Sequence, residues 1–416
     1  MVNNMKDKKR NKTDNIVYMG GSPEALKNNK EVAYRVRKQK NIKLAVLLVV
    51  IVIAAVCAVV LLNREYHGYK VQERNETQYE NTAGYVQFCG NLLKYTPDGV
   101  SYIDANGNVV WTAGVNMKMP MAVTSGSYAA VADMSGNEVY IFSEEGQVSS
   151  LTMPYTICDV DIANQGAFAV VLESEKTNYV NLYDKNGDSI YEMQTTIGKS
   201  GYPLDITISN DGQKLFTSYI NVSSGTAQNN LAAYNLGDVG QNANADRMVG
   251  GYKLDGQVVP KVQFISNDTV AAFGTNSIKI YSMKEKPNEK AEIEFEGEIR
   301  SIFYNEDYIG FVQEEKSEDG ESSYVMRVYD TKGNKKFTKN IEFTYDNIYA
   351  SEKEIIVTGG VNCKIIRING SIKFDGTLSG KILSMVPSGK KLSYVVVYDD
   401  ATEIIKLKSD KSSEKE

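Results

Sequence analysis

The sequence is poor in the residues on which most catalytic and metal centres depend. It has one histidine, His67, which excludes Ser-His-Asp triads, Cys-His pairs and HExxH zinc sites within a single chain. It contains no GxxxxGK segment followed by Ser or Thr, so a Walker-type phosphate loop is excluded as well. The four cysteines are widely spaced, and three of them, Cys89, Cys158 and Cys363, lie outside the apolar run described below. This odd number predicts free thiols rather than a disulfide framework or a zinc site, and we expect no metal and no cofactor.

Charge is distributed unevenly along the chain. Residues 1–43 contain nine Lys, three Arg and four acidic residues, whereas 44–62 contain no charged residue. The whole chain has a net charge of −6, so residues 63–416 carry −14. Because nucleic-acid binding needs clustered Lys and Arg against the phosphates, nucleic acid is not an expected partner of this acidic part.

The chain contains one long apolar run. Leu44 to Leu62 reads LAVLLVVIVIAAVCAVVLL, without a charge, glycine or proline. A helix of this length spans roughly 28 Å at about 1.5 Å per residue, close to the thickness of a bilayer core. Lys and Arg precede the run, so the positive-inside rule predicts a cytoplasmic N-terminus and an extracellular C-terminal domain at the cell membrane. We interpret 1–43 as a cytoplasmic basic tail and 44–62 as a transmembrane helix in contact with the lipid bilayer.

Two alternatives for this run are a cleaved signal peptide and a lipoprotein signal. A signal peptide has a shorter positive region, an apolar core of about 7–15 residues and an Ala-x-Ala-like site, and no such site follows Leu62. A lipoprotein needs a small residue before its cysteine, but Val56 precedes Cys57. We therefore interpret the run as an uncleaved anchor, the polar residues 63–81 as a stalk, and 409–416 as a disordered tail.

Residues 82–408 show no long helical periodicity and instead repeat a pattern of strand, polar turn and strand. A mostly apolar run follows each of Gly90, Gly126, Gly166, Gly212, Asp268, Asp307, Lys353 and Gly389. The spacings between these positions are 36, 40, 46, 56, 39, 46 and 36 residues. Four strands in roughly 40 residues is the period of propeller blades. We predict an all-β, propeller-like domain of eight four-stranded blades, or seven if the first or last unit is miscounted.

The last unit of this repeat lacks a fourth strand. Only the charged tail follows its third candidate strand, TEIIKLK (402–408). Propellers often close by borrowing a strand from the other terminus, which removes open sheet edges, and residues 65–81 are available for this. The alternative architecture is a pair of β-sandwich domains.

Motifs of the common propeller classes are scarce. One His and one Trp exclude WD repeats, and only Gly359–Gly360 is placed as a Kelch doublet. GNVVWT (107–112) is a single docking motif of the quinoprotein type, and one copy does not support a bound quinone.

Five segments carry a different resemblance. They are LLKYTPDGVSYIDANGNVVW (92–111), YAAVADMSGNEVYIF (128–142), GYPLDITISNDGQKL (201–215), DRMVGGY (246–252) and VPKVQFISNDTVAAFG (259–274). In the order of these motifs the chain resembles a family of uncharacterised single-span membrane proteins, domain of unknown function 5711, over about residues 84–310. The resemblance implies an envelope protein of Gram-positive bacteria with a propeller-like domain outside the cell. It brings no assigned activity and no catalytic residues.

Three acidic residues are candidates for chemistry that needs carboxylates alone. Asp159 and Asp161 lie on one face of a predicted inner strand, CDVDIA, and Asp205 has a similar place in PLDITI of the next unit. Inner strands surround the channel of a propeller, so these acids could meet near its mouth as a glycosidase site. The alternative is that they cap strand starts or bond backbone amides at blade junctions, since a fold does not imply a function.

Two Asp-rich turns have the alternating spacing of calcium ligands. They are Asp104–Asn106–Asn108 and Asp184–Asn186–Asp188. An EF-hand loop needs Gly at its sixth position and Glu at its twelfth, and neither turn provides them. Tight hairpins use the same residue types, so we interpret both segments as hairpin turns.

Residues 221–251 form the longest interruption of the repeat. They are polar and rich in Gly and Asn, and they produce the 56-residue spacing. A long loop on a rigid scaffold often carries a binding site, and a flexible insertion is the alternative.

These features predict a membrane-anchored, non-catalytic scaffold at the cell envelope. It would bind a protein or a cell-wall polymer through one propeller face or through 221–251. The alternatives are a carboxylate-based carbohydrate-active enzyme that uses Asp159, Asp161 and Asp205, and a ligand-sensing ectodomain.

Overall fold

The structure is a computed structural model that describes residues 23–76, 83–175, 177–198, 200–223, 226–316 and 322–409. It contains two compact units, Met1–Arg64 and Glu65–Glu416. The described residues of the first unit form one long helix, α1 (Pro23–Leu62). Its segment Asn41–Leu62 is long and apolar enough to cross a membrane, a property that membrane anchors share with signal sequences. Of the two predicted tails, 1–22 and 410–416 lie outside the described residues.

The second unit consists of eight four-stranded antiparallel sheets, which are the blades of a propeller. Strands within a blade are counted outward from the central channel. Blades 1 to 4 contain β2 (Gly84–Phe88), β3 (Asn91–Tyr95), β4 (Gly99–Ile103) and β5 (Val109–Gly114); β6 (Pro120–Ser125), β7 (Tyr128–Asp133), β8 (Glu138–Ser143) and β9 (Gly146–Thr152); β10 (Thr156–Ile162), β11 (Phe168–Glu173), β12 (Thr177–Tyr183) and β13 (Ser189–Thr196); and β14 (Tyr202–Ile208), β15 (Lys214–Ser223), β16 (Thr226–Asn235) and β17 (Met248–Asp255).

The remaining blades follow the same order except at the end of the ring. Blades 5 to 8 contain β18 (Lys261–Ser266), β19 (Thr269–Phe273), β20 (Ser277–Ser282) and β21 (Asn288–Glu294); β22 (Ile299–Tyr304), β23 (Tyr308–Lys316), β24 (Ser322–Asp330) and β25 (Lys335–Ile341); β26 (Asn347–Ala350), β27 (Glu354–Gly359), β28 (Asn362–Arg367) and β29 (Ile372–Thr377); and β30 (Ile382–Pro387), β31 (Ser393–Tyr398), β32 (Ala401–Lys408) and β1 (Gly68–Glu76). A short helix, α2 (Asp238–Ala243), connects β16 to β17.

The strand sequences account for the place of each strand in its blade. Second strands are covered on both faces by neighbouring blades, so they are apolar at nearly every position; β11 reads FAVVLE, and Phe168 to Leu172 are all buried. Fourth strands lie at the rim and have one face in solvent. In β9, GQVSSLT, half-buried residues are therefore separated by exposed ones.

The core is divided into eight apolar clusters, one between each pair of neighbouring blades. Leu182 and Leu215 meet between blades 3 and 4, and Leu92 and Val395 meet between blades 1 and 8. Each fully buried side chain of this kind contributes about 1.5–3 kcal/mol, so every blade depends on its two neighbours. The prediction of a propeller is confirmed with eight blades rather than seven, and the pair of β-sandwiches is excluded.

The ring is closed by the first strand of the second unit. β1 pairs antiparallel with β32 as the fourth strand of blade 8. Arg74 on β1 donates to Glu403, which is buried, and to Asp400, each at 2.6 Å. The borrowed strand that the incomplete last unit requires is therefore present.

The predicted stalk, 63–81, is wrong for residues 68–76. Residues 68–76 belong to the propeller, so the domain begins at Gly68 and not at residue 82. The polar sequence of this segment arises because a fourth strand is solvent-exposed on one face, and most of β1 is exposed. Residues 77–82 lie outside the described residues.

The propeller has two faces with different connections. The turn face holds the turns between first and second strands and between third and fourth strands, together with Tyr66 and His67, where the chain enters blade 8. The connection face holds the turns between second and third strands and the blade-to-blade connections. Gly126, in a turn on the turn face, has φ +55° and lies so close to Asn164 of the next blade that a Cβ would be 2.9 Å from its backbone.

The region 221–251 is mostly secondary structure and not a loop. The hairpin of β15 and β16 has ten residues in each strand, against five in the corresponding hairpin of blade 1, and it extends on the connection face. The prediction of a long loop is wrong because Leu231 and Ala233 are buried strand positions among polar neighbours. The tip residues Ser224 and Gly225 lie outside the described residues.

Candidate functional site

The three candidate carboxylates lie on strands that surround the central channel. Asp159 and Asp161 are on β10, the first strand of blade 3, and Asp205 is on β14, the first strand of blade 4. Their predicted location on inner strands is confirmed. Asp159 and Asp161 are two residues apart on a strand, so both point to the same side, toward blade 4.

Asp159 and Asp205 connect their strands to the next blade in the same way. Asp159 Oδ2 accepts a hydrogen bond from the backbone N–H of Ile206 at 2.8 Å, and Asp205 Oδ2 accepts one from the backbone N–H of Val262 at 2.7 Å. The ammonium group of Lys261 donates to Asp205 Oδ1 at 2.9 Å. The contact between blades 3 and 4 is thus repeated between blades 4 and 5.

Asp161 and Thr207 form a second repeated contact. Asp161 Oδ2 accepts from the backbone N–H of Ile208 at 2.9 Å and from the hydroxyl of Thr207 at 2.8 Å. Thr207 Oγ1 in turn accepts from the backbone N–H of Phe264 in blade 5 at 3.0 Å. First strands of different blades belong to separate sheets, so these side chains supply a polar link that sheet pairing does not. We call the link the channel ladder, formed by Asp159, Asp161, Asp205 and Thr207 with the backbone amides that they bind.

Burial raises the pKa values of the ladder carboxyl groups. The pKa of Asp205 lies well above its usual value, chiefly because of burial; the charge of Lys261 opposes this increase and the charge of Asp159 adds to it. Burial also raises the pKa values of Asp159 and Asp161, again against the charge of Lys261. Burial alone would lower the pKa of Lys261, but Asp205 and Asp159 raise it. Asp159 and Asp205 both have raised pKa values and lie beside the single ammonium group of Lys261, so the two carboxyl groups titrate as a coupled pair.

The ladder geometry favours the blade-junction role for these acids. A carboxyl group with a raised pKa is the kind of acid that glycosidases use. However, the second oxygen of Asp159 and of Asp161 is also occupied, because each accepts from the backbone N–H of the following residue at 2.9 Å. Each carboxylate is therefore held by backbone donors on both oxygens or, at Asp205, by a donor and a cation.

Sequence reasoning missed two members of this network, Thr207 and Lys261. The signal that could have found them is the internal repeat. In the segments CDVD (158–161), LDIT (204–207) and PKVQ (260–263), the second and fourth positions are equivalent in successive blades. Asp159, Asp205 and Lys261 thus occupy one repeated position, and Asp161, Thr207 and Gln263 occupy the other.

The opposite wall of the channel contains a cavity of about 400 Å³. It is lined by the first strands of blades 1, 2, 6, 7 and 8 and by the second strand of blade 7. Tyr304 belongs to both walls, because it lines this channel cavity and its hydroxyl donates to Gln263 Oε1 at 2.7 Å. Burial raises the pKa of Tyr304 to about 12, Lys261 lowers it, and Asp161 and Asp205 raise it further.

The connection face exposes apolar side chains in blades 1 to 4. Met119, Tyr155 and Ile197 lie in three successive blade-to-blade connections and are 59%, 39% and 48% exposed. Val222, near the tip of the long β15–β16 hairpin, is 69% exposed. The ring of Tyr155 stacks on that of Tyr179 with their centroids 5.0 Å apart, which fixes its orientation at the surface. We call Met119, Tyr155, Ile197 and Val222 the apolar patch.

The same face is acidic in blades 5 to 8. Its connections and turns there carry Glu296, Glu298, Glu342, Asp346, Asp399 and Asp400, with Lys381 as the basic residue among the described ones. Two of these acids are paired, Glu342 with Lys364 and Asp400 with Arg74. Exposed acidic residues next to an apolar patch define a surface with two chemically different halves.

The Asp-rich turns are hairpin turns, as predicted. Asp104 Oδ1 accepts from the backbone N–H groups of Asn106 and Asn108, both at 2.8 Å, and Asp184 Oδ1 accepts from Asn186 and Asp188 at 2.9 and 2.8 Å. Partial burial raises the pKa of each aspartate, but these hydrogen bonds outweigh it and lower the pKa. Each side chain therefore caps its own turn.

The cysteines of the propeller are free thiols. Burial raises the pKa values of Cys89 and Cys158 to about 11, and nearby Glu144 and Glu173 also raise them. Thiols with such pKa values remain protonated at neutral pH and are poor nucleophiles.

Residues 62–407 match the model of a family described as a family of unknown function, DUF5711. The chain belongs to this family. The match covers all eight blades, whereas the motifs seen in the sequence reach only to about residue 310. No curated protein matches the sequence. Membership assigns no activity, so the function has to be argued from the surfaces described above.

The fold is shared with many solved structures, since 654 chains match. BamB from Moraxella catarrhalis has 10% identity and a TM-score of 0.50, covering 82% of this chain and 100% of its own. Hsv2p from Kluyveromyces lactis has 11% identity and a TM-score of 0.46, covering 72% and 98%. Sqt1 from Chaetomium thermophilum, bound to the N-terminus of the ribosomal protein L10, has 12% identity and a TM-score of 0.48, covering 82% and 98%. At these identities the likeness to BamB shows the fold alone.

Proposed function

We propose that this protein is a membrane-anchored scaffold that binds a protein partner outside the cytoplasm through the connection face of its propeller. The observation that carries the proposal is the apolar patch, because its four exposed side chains lie on one face in adjacent blades. Exposed apolar residues grouped on a surface mark interaction sites more often than isolated ones do. A cell-wall polymer is the alternative partner.

The proposed anchor is supported by α1 and by the charges before it. Asn41–Leu62 has the length and composition of a membrane span, and the basic tail 1–43 precedes it. The positive-inside rule then places the tail in the cytoplasm and Glu65–Glu416 outside. The outward orientation is tested by adding an impermeant protease to intact cells. Cleavage of the propeller without lysis supports it, and protection of the propeller until lysis contradicts it.

The charge of the connection face indicates the chemistry of the partner. The acidic residues of blades 5 to 8 attract a basic surface and repel an acidic one, while the apolar patch in blades 1 to 4 favours burial of aliphatic or aromatic side chains. We therefore propose a partner with a basic region beside an apolar one. Its association rate is expected to fall as salt is raised, because exposed charges steer encounter.

The proposal is tested by crosslinking the full chain in intact cells and identifying what is captured with it. The test variant is Met119→Ser with Ile197→Ser, which removes aliphatic area from the apolar patch. The matched control is Val109→Ser with Val110→Ser on β5, where two aliphatic residues are 59% and 55% exposed away from the connection face. A partner captured by the wild type and the control but lost from the test variant supports the scaffold. Equal capture by all three contradicts it.

A carbohydrate-active enzyme that uses Asp159, Asp161 and Asp205 is a second candidate. The observation in its favour is the raised pKa of Asp205 beside Asp159 in a channel that also contains a cavity. Its test is hydrolysis of purified wall glycans by the wild type and by Asp205→Asn. Hydrolysis that the substitution abolishes supports an enzyme, and no hydrolysis by the wild type rejects it.

A further inference from the structure

The channel cavity has a lining without charge. Its fifteen lining residues include no Asp, Glu, Lys, Arg or His. A buried charge without a partner costs several kcal/mol, so such a cavity disfavours charged ligands. The charges that act on the lining tyrosines belong to residues outside the lining. They are Lys261, Asp161 and Asp205 near Tyr304, and Glu352 and Glu354 near Tyr349, where Glu354 is paired with Lys373. The cavity is therefore suited to a neutral molecule.

The lining is rich in groups that form hydrogen bonds and in aromatic rings. Its polar side chains are those of Tyr85, Gln87, Thr124, Tyr304, Asn347, Tyr349, Thr358 and Ser384. The rest are aliphatic residues of the same strands and Met385. A cavity of about 400 Å³ falls in the usual range of small-molecule sites, which have apolar walls and a few placed polar groups.

Several of these polar groups are available to a ligand. Asn347 Nδ2 donates to the backbone carbonyl of Leu383 at 3.3 Å, which fixes the amide and leaves its carbonyl oxygen as an acceptor. Within the described part of the chain, the side-chain amide of Gln87 and the hydroxyl of Ser384 form no hydrogen bond. Burial raises the pKa of Tyr349, so its hydroxyl stays protonated and can donate. The wall thus offers both donors and acceptors.

We infer that the channel cavity binds a neutral, hydroxyl-rich ligand of the size of a mono- or disaccharide. Tyrosine rings provide flat apolar surfaces for the C–H faces of a sugar ring. Amide and hydroxyl groups match the alternating donors and acceptors of its hydroxyl groups. The ligand is either a free saccharide or the end of a glycan chain. This inference does not depend on the proposed partner, because the cavity lies in the channel and the apolar patch lies on the connection face.

Binding is measured on the full chain in a detergent without a sugar headgroup, by calorimetry and by saturation-transfer NMR. The neutral probes are N-acetylglucosamine, chitobiose and cellobiose, and the charged probes are glucuronate and glucosamine. We expect at least one neutral saccharide to bind, and its charged analogue to bind about ten-fold more weakly. Charged probes that bind as well as neutral ones, or no neutral binding up to the solubility of the probes, would overturn the inference.

Variants place the binding in the cavity. Asn347→Ala is expected to weaken binding about ten-fold, since it removes an amide at the wall. Asn276→Ala is the matched control, because Asn276 is an exposed asparagine in a turn of the connection face. Tyr349→Phe is expected to weaken binding a few-fold, because it removes the hydroxyl. It keeps the ring, so it disturbs the fold less than Tyr349→Ala would. Equal affinity in the wild type, Asn347→Ala and Tyr349→Phe would overturn the inference.

A further pair of probes identifies the source of the ligand. Methyl glycosides that bind more weakly than the free sugars support a free saccharide, because the methyl group at the anomeric oxygen mimics the glycosidic bond to a chain. Soluble wall fragments that bind more tightly than either support the end of a glycan chain. If wall fragments do not displace a bound small saccharide, the two ligands occupy different sites. That result would contradict a single cavity.

Discussion

The two walls of the central channel differ in how neighbouring blades are joined. In blades 3 to 5 the ladder carboxylates and Thr207 bind the backbone amides of the next first strand. On the wall that includes blades 7, 8 and 1, uncharged side chains line the channel cavity instead. On the cavity wall the side chains of Thr124 and Asn347 also reach a neighbouring blade, but they donate to the backbone carbonyls of Gln87 and Leu383 and carry no charge. The two walls therefore differ in the charge of the bridging side chains and in whether they bind backbone amides or carbonyls.

The comparison is tested most strongly by removing a ladder carboxylate. Asp205→Ala leaves the amide of Val262 and the ammonium group of Lys261 without their partner, so the free energy of unfolding is expected to fall by about 3–5 kcal/mol. The measurement is urea denaturation of the full chain in detergent. Asp400→Ala is the control, since its exposed pair with Arg74 is worth about 0–1 kcal/mol. If Asp205→Ala is as stable as the control, the ladder is not a structural element.

A Thr→Val substitution on each wall is expected to lower the free energy of unfolding by less than Asp205→Ala does. Thr207→Val removes a hydroxyl that accepts from Phe264 and donates to Asp161, and we expect a loss of about 1–3 kcal/mol. Thr124→Val on the cavity wall removes one bond to the carbonyl of Gln87, and we expect a loss of about 0.5–1 kcal/mol. Valine has nearly the shape of threonine, so the difference reports hydrogen bonding. Equal losses would show that the two walls are held alike.

A further difference concerns the pH dependence of stability. The pKa of Asp205 is raised in the folded protein, so the folded state binds its proton more tightly than the unfolded state does. The wild type should therefore lose stability relative to Asp205→Asn as pH rises from about 4 through the raised pKa, by up to about 1.4 kcal/mol per pH unit. The measurement is urea denaturation of both proteins across this range.

Asp184→Asn is the control for this pH prediction. The pKa of Asp184 is lowered by its turn hydrogen bonds, so its contribution to stability is present above the ordinary carboxyl pKa and is lost as pH falls. The two difference curves should have opposite slopes. A parallel pair would contradict the assigned pKa directions.

The fold was predictable from the sequence because turn residues recur once per blade. Positions such as Gly126, Gly166 and Gly212 mark the start of second strands at spacings near the period of a blade. The sequence pattern of β1 did not predict a strand, because an exposed outer strand of polar residues resembles a linker. The β15–β16 hairpin was mistaken for a loop because its buried positions include small residues such as Ala233.

The channel residues were only partly predictable. Asp159, Asp161 and Asp205 stood out because acidic residues are rare on inner strands, and their places on β10 and β14 are confirmed. Their partners are backbone amides 47 and 57 residues further along the chain, and only the register of one blade on the next determines which amides these are. The cavity depends on residues of several blades, none of which is conspicuous alone.

The closing strand has a consequence for how the protein is made. Arg74 and Glu403 are 329 residues apart, so a nascent chain displays β1 long before β32 exists to pair with it. Until β32 is made, β1 lacks its pairing strand and the partial ring leaves two apolar blade faces uncovered. Every truncation product is left in this state, whichever blade it lacks. Finished and unfinished molecules therefore differ at this single seam, in whether β1 is paired with β32.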